Sequence, residues 1–110
     1  MAGWTISTFA GTGARGYAGD GGPALAARLD NPFDLAFDGD GNLIFSDTFN
    51  HAIRRVHART GTVSTVAGCG ARGFSGDGGP AVFAKLNEPY GVAVDRAGNI
   101  YFADRHNGRV

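Results

Sequence analysis

The chain has 110 residues, 10 Lys+Arg balanced by 10 Asp+Glu, one cysteine and 19 glycines. Zero formal net charge argues against a strongly basic nucleic-acid binder. Cys69 alone excludes an intrachain disulfide and a cysteine-only zinc centre.

The start, Met1-Ala2-Gly3-Trp4, runs directly into polar, glycine-rich sequence, unlike a signal peptide. No apolar run approaches the roughly 18 residues of a membrane span. Trp4–Ala10 reads as a strand. Gly11–Asn31 is a long loop that holds six of the glycines. Within it Pro23–Leu29 predicts a two-turn helix, with Pro23 at its first position and Leu25 and Leu29 on one face. Phe33–Phe37 alternates in character and predicts a strand with one large-residue face. Asp38-Gly39-Asp40-Gly41-Asn42 is a hairpin signal. Leu43–Ser46 is nearly continuously apolar, as in a strand covered on both faces. Asp47–Asn50 turns the chain, because Asp and Asn bond nearby backbone amides. Ala52–His57 is a third strand and, after the turn Arg59-Thr60-Gly61, Thr62–Ala67 is a fourth.

From Thr62 onward the chain repeats itself. Thr5-Ile6-Ser7-Thr8-Phe9-Ala10-Gly11 returns as Thr62-Val63-Ser64-Thr65-Val66-Ala67-Gly68. Gly19-Asp20-Gly21-Gly22-Pro23-Ala24 returns as Gly76-Asp77-Gly78-Gly79-Pro80-Ala81. The offset is 57 throughout, and residues 5–53 match 62–110 at 25 of 49 positions without a gap. The fold class is therefore all-β: two units of four antiparallel strands, the pattern of β-propeller blades.

The stretch Asn31-Pro32-Phe33-Asp34-Leu35-Ala36-Phe37-Asp38, then Gly41–Asp47 and Asn50-His51-Ala52-Ile53, resembles the NHL repeat. Glu88–Asp95, Gly98–Asp104 and Asn107-Gly108-Arg109-Val110 resemble it again. In the second copy Gly108 stands where the histidine of the name-giving element would be. The Gly-Asp-Gly-Gly-Pro-Ala loop resembles the long-repeat bacterial members. The resemblance implies a closed propeller, commonly of six blades.

Residues 1–110 then divide into two repeats, 5–61 and 62–110. Two blades cannot close a propeller, which needs about 4–8. Trp4–Ala10 is a fourth strand without a blade of its own, and Val110 falls within a third strand. Head-to-tail contact between copies is heterologous and makes a ring if the rotation closes. The expected partner is thus the chain itself, as a homotrimer of six blades or, alternatively, a homotetramer of eight. The expected assembly residues are Trp4, Ile6, Thr8, Arg109 and Val110. Neither a membrane nor a nucleic acid is expected as partner, and no external ligand can be named. So clean a two-repeat chain reads as a designed, reconstructed or excised piece. The alternative is a natural binding module that takes a protein or glycan on loops 11–31, 68–88, 47–50 and 104–107.

Chemistry finds little support. Gly11-Thr12-Gly13-Ala14-Arg15-Gly16 and its copy Gly68–Gly73 fit G-x-G-x-x-G, but the βαβ setting of a dinucleotide site is missing. Asp38-x-Asp40-x-Asn42 lacks the glutamate of a calcium loop, since Phe49 occupies that place. Asp20 and Asp77 are expected to hold their loops by accepting backbone amides. His51, His57 and His106 occupy three inequivalent positions and read as solvated turn residues. The resemblance also offers a channel-zinc lyase, but metal-bound histidines need supporting hydrogen-bond partners of their own, and solvated turn residues are the expectation here. Arg54, Arg55, Arg59 and His57 read as a solvated strand face. No catalytic residue, metal ligand or cofactor site is assigned.

Overall fold

The computed structural model describes residues 3–110. Its first sheet is a four-stranded meander: β1 Pro32–Phe37, β2 Leu43–Asp47, β3 Ala52–Val56 and β4 Val63–Ala67, in the order β1-β2-β3-β4. The second unit contains β5 Pro89–Val94 paired with β6 Ile100–Asp104. β1 and β5 share a register irregularity at equivalent positions, between Pro32 and Leu35 and between Pro89 and Val92. The 57-residue repeat is thus a structural repeat.

Asp38 makes the first hairpin by accepting the amides of Asp40 and Asn42, each at 2.9 Å, while Asn42 Nδ2 donates to its other oxygen. Asp95 does the same with Asn99. These bonds to the charged form hold both carboxyls below the usual carboxylate range. The aspartates are turn staples. β2 is buried along its whole length, as its continuous apolar pattern requires.

The two long loops share one hydrogen-bond frame. The Gly11 amide donates to the Ala24 carbonyl at 2.9 Å, and Gly68 to Ala81 at 3.0 Å. Gly16 donates to Leu29, and Gly73 to Leu86. The expected helix over Pro23–Leu29 is not formed. A single 3-10 turn, Ala24–Ala26, replaces it, and Ala27 is already extended. The reason is tertiary. A continued helix would pull Arg28 and Leu29 away from their bridges to Ala18 and Arg15. Ala27 is also fully buried beneath Gly19, where a Cβ would come 2.7 Å from the Ala27 Cα. Gly76 presses on Ala84 in the same way, at 2.6 Å and with φ +103°. Gly76→Ala should therefore cost about 2 kcal/mol or more from strain and overpacking, read as a lower urea midpoint.

Two apolar clusters organise the molecule. Ala24, Ala27, Leu43, Phe45, Val56 and Val63 fill the first unit beneath its loop. Ile44, Ile53, Ala67 and Leu86 join Val66, Ala84, Val92, Val94, Ile100 and Phe102 between the two sheets. Alternation along β2 explains this division: Leu43 and Phe45 face one way, Ile44 the other.

Residues 3–10 form no strand, although the repeat predicts one, and Trp4 and Ile6 are fully exposed. A strand requires a partner edge, and none of the described strands pairs with this segment. Its exit frame at Gly11 is nevertheless the one that carries β4 into the second loop at Gly68.

Candidate assembly surface and inter-blade clamp

An arginine staple ties each loop to its sheet. Arg54 on β3 is fully buried and was expected to be solvated. Its guanidinium donates to Asp47 Oδ2 at 3.2 Å, Asp20 Oδ1 at 2.9 Å, and the Arg28 and Ala18 carbonyls at 2.9 Å each. Tyr17 lies under it, with the guanidinium carbon 5.0 Å from the ring centre. Burial raises the Asp47 carboxyl from its ordinary value, against the lowering contributed by Asn50, the Asp30 amide and Arg54. Desolvation outweighs the ion pair here, as is common for wholly buried pairs.

The second unit builds the same staple from a different position. Arg109 aligns with Ala52, yet it donates to Asp104 at 2.8 Å, to Asp77 at 3.2 Å, and to the Ser75 and Lys85 carbonyls. Each of these groups is the 57-residue counterpart of an Arg54 partner. Arg109, expected at an assembly contact, thus spends its donors within its own chain. Asp20 and Asp77 hold their loops by accepting arginine, and Asp20 also Thr65, rather than backbone amides.

A clamp joins the two blades along one edge. Thr48 Oγ1 donates to the Pro89 carbonyl at 2.8 Å. Asp34 Oδ2 accepts the Val92 amide at 2.9 Å, and its Oδ1 accepts the Leu35 amide at 2.9 Å. Phe33 and Tyr90, equivalent residues, stack with centroids 3.5 Å apart, and Arg105 lies over Tyr90 at 4.3 Å. Arg105 and His106 both reach Glu88 at 3.2 Å. His51 is half-buried, and its Nδ1 accepts the Glu88 amide at 3.0 Å. The solvated-histidine expectation therefore fails for His51: it is a connector between blades. Local sequence carries no sign of this bond, because Glu88 lies 37 positions away.

Burial lowers the His51 pKa from its usual value, opposed by Glu88 and Asp104. The unfolded chain then holds the proton more tightly than the folded one. The clamp is fully present above the unfolded value near 6.5 and weakens as pH falls below it. Acidification from pH 7.5 to 5.5 should lower the melting temperature. His51→Asn, which suits the residue's φ of +53°, should remove the His51 share of that slope. An unchanged slope in the variant would show that His51 does not carry it.

A groove of about 660 Å³ opens on the other flank of the first blade. Ile6, Phe9, Ala10, Leu29, Phe33, Leu35, Leu43 and Phe45 supply its apolar lining. Of the expected assembly residues, Trp4, Ile6 and Thr8 are exposed on the unpaired segment, and Val110 is exposed on the opposite unit. Among the described residues, no group of three or more His, Cys, Asp or Glu side chains is placed to hold a metal. None of the helices formed by the described residues is long and apolar enough to cross a membrane.

No family model matches the chain. It is 31% identical over 91 residues to NHL repeat-containing protein 2 of Bos taurus, covering 81% of this chain and 12% of that protein. It is 36% identical over 99 residues to Teneurin-4 of Homo sapiens, covering 79% and 4% respectively. A solved protein of unknown function from Bacteroides thetaiotaomicron superposes with TM-score 0.80 at 26% identity, covering 94% of this chain and 26% of that one. The chain thus spans only a small part of each protein it matches. The tandem repeat, the four-stranded meander and these likenesses together identify the chain as NHL-type β-propeller repeats.

Proposed function

We propose that the chain is a non-enzymatic scaffold segment that closes a propeller by head-to-tail association with copies of itself, three copies supplying six blades. One observation carries this reading: Trp4–Ala10 leaves the Gly11 frame as β4 leaves the Gly68 frame, but has no strand to pair with. An unpaired segment whose repeat copy is a strand is ready to pair with the edge of another chain. In the repeat, its place is the outer position of a blade that precedes the first. The six-blade count rests on the resemblance to NHL propellers.

A second reading has its own support. The stacked Phe33–Tyr90 pair, with Arg105, Glu88 and His106 beside it, forms a mixed aromatic and charged edge on the loop side. Such a surface suits a binding module for protein or glycan. It is compatible with ring closure, since the pair spans the inter-blade seam. The staple arginines and turn aspartates are committed to internal bonds, which supports a structural rather than a catalytic use.

Deletion of Met1–Ala10 tests the assembly reading. The truncated chain is expected to elute as a monomer, lighter than the 11.3 kDa of one full chain, under conditions where the full chain elutes as an assembly. Retention of the full-length assembly by the truncated chain would overturn it.

A further inference from the structure

We infer that the groove on the first blade is the seat for Tyr101 and Val110 of a second copy of this chain; the inference rests on the self-assembly reading above. The internal blade interface is the template. Its core contains Ile44 and Ile53 from the first blade, packed on Leu86, Val92, Ile100 and Phe102, with Val66, Ala67, Ala84 and Val94 around them. Subtracting the 57-residue offset converts six of the other eight into residues of the open flank; Ala84 and Val94 become Ala27, which is buried in its own unit, and Phe37, which lies outside the groove. Val66 and Ala67 become Phe9 and Ala10, Leu86 becomes Leu29, Val92 becomes Leu35, and Ile100 and Phe102 become Leu43 and Phe45. These six all line the groove. Ile44 and Ile53 have no counterpart there, because they belong to the blade that would come before.

Adding the offset finds the missing pair. Ile44 and Ile53 become Tyr101 and Val110, which sit on the opposite flank of the molecule. Ile44 and Ile53 are 0% exposed, whereas Tyr101 is 51% and Val110 91% exposed. One flank therefore lacks two apolar side chains, and the other displays two in the matching positions. The groove-lining Leu35 is 56% exposed, so both halves of the contact stand open to solvent. Contact of this kind is heterologous and propagates until the ring closes.

Asp34 removes any need for a carboxylate from the occupant at one position. Inside the chain, the Val92 amide is satisfied by Asp34 of the preceding blade. Its counterpart, the Leu35 amide, faces the groove side and is satisfied by the other oxygen of the same Asp34. Nothing is needed from a neighbour there. In a second copy the residue in that place is Gly91, which has no side chain to offer. A second copy that presents Gly91 at this position therefore leaves the Leu35 amide satisfied by Asp34.

The test uses full-length chains blocked on one flank at a time. Leu35→Glu blocks the groove; Tyr101→Glu with Val110→Glu blocks the other flank. All three positions are exposed, so the substitutions spare each chain's own core, and circular dichroism checks that the fold persists. Each variant alone should be an 11.3 kDa monomer. Mixing the two should give a 1:1 complex of twice that mass and nothing larger, because one intact groove meets one intact flank. Tyr101→Ile, which restores the residue of the internal interface, should assemble like the unmodified chain. If the unmodified chain assembles and the blocked variants assemble equally well, the groove assignment fails while self-assembly stands. If the unmodified chain is itself monomeric, both fail together.

Discussion

Arg54→Met is expected to lower the unfolding free energy by about 3–5 kcal/mol, the range for removing one partner of a buried ion pair. The guanidinium is wholly buried and joins β3 to both ends of the first loop: Ala18 and Asp20 on one side, Arg28 on the other. Its loss leaves the fully buried Asp47 with Asn50 and the Asp30 amide alone. Burial already raises the Asp47 carboxyl, so without Arg54 it should take up a proton more readily. The variant's deficit should therefore shrink in mild acid. The double variant Arg54→Met with Asp47→Asn should recover part of the loss, since no uncompensated charge remains. Arg59→Met, at an exposed turn of the same basic stretch, should stay within about 0.5 kcal/mol. Urea unfolding at one fixed protein concentration measures all three against the unmodified chain, because association shifts apparent stability by mass action. A loss under 1 kcal/mol for Arg54→Met would show that the staple is not what holds the loop.

Gly68→Ala should be nearly as damaging. Gly68 leaves β4 at φ +87°, and an added Cβ would fall 2.3 Å from the His51 carbonyl oxygen and 2.9 Å from the Ala52 Cα. Both obstacles are backbone, at the turn that enters β3, so relief requires moving the strand. Strain in the left-handed region and the forced shift each cost about 1–3 kcal/mol. The Gly68 amide bond to Ala81 would also be disturbed. Gly21→Ala is the control: φ is +85°, but nothing lies within 4 Å of the added atom. It should show the conformational cost alone, about 1–2 kcal/mol. Equal losses in the two variants would mean that the close approach at Gly68 is relieved at no cost.

The strand order and hairpins of the first sheet were legible because their signals are local, whereas the third strand expected at Val110 is not formed and Asp104–Arg109 makes only an isolated bridge. Asp38 and Asp95 bond residues two to four positions away, within reach of a turn pattern. The repeat was legible because an ungapped offset needs no structural knowledge. Arg54 was not legible. Beside Arg55 and His57 it looks like part of a polar strand face, and its burial depends on carbonyls 26 and 36 positions distant. The short helix failed for a related reason: local propensity favoured Pro23–Leu29, but packing of Ala27 under Gly19 and bridging by Arg28 overrode it. Arg109 shows a further limit. Alignment by the repeat places it opposite Ala52, while its partners are the 57-residue counterparts of Arg54's. A staple can be reached from more than one register, so equivalent position did not mean equivalent role. The open flank, by contrast, needed both sources: the structure located the groove, and the offset named its lining.

The central claim is that this chain completes its blades with copies of itself. The most direct measurement is the mass of the unmodified chain by multi-angle light scattering at several concentrations. The account predicts a closed particle of three chains, 3 × 11.3 kDa or about 34 kDa, that does not grow as concentration rises. A folded monomer of 11.3 kDa at every concentration would contradict it.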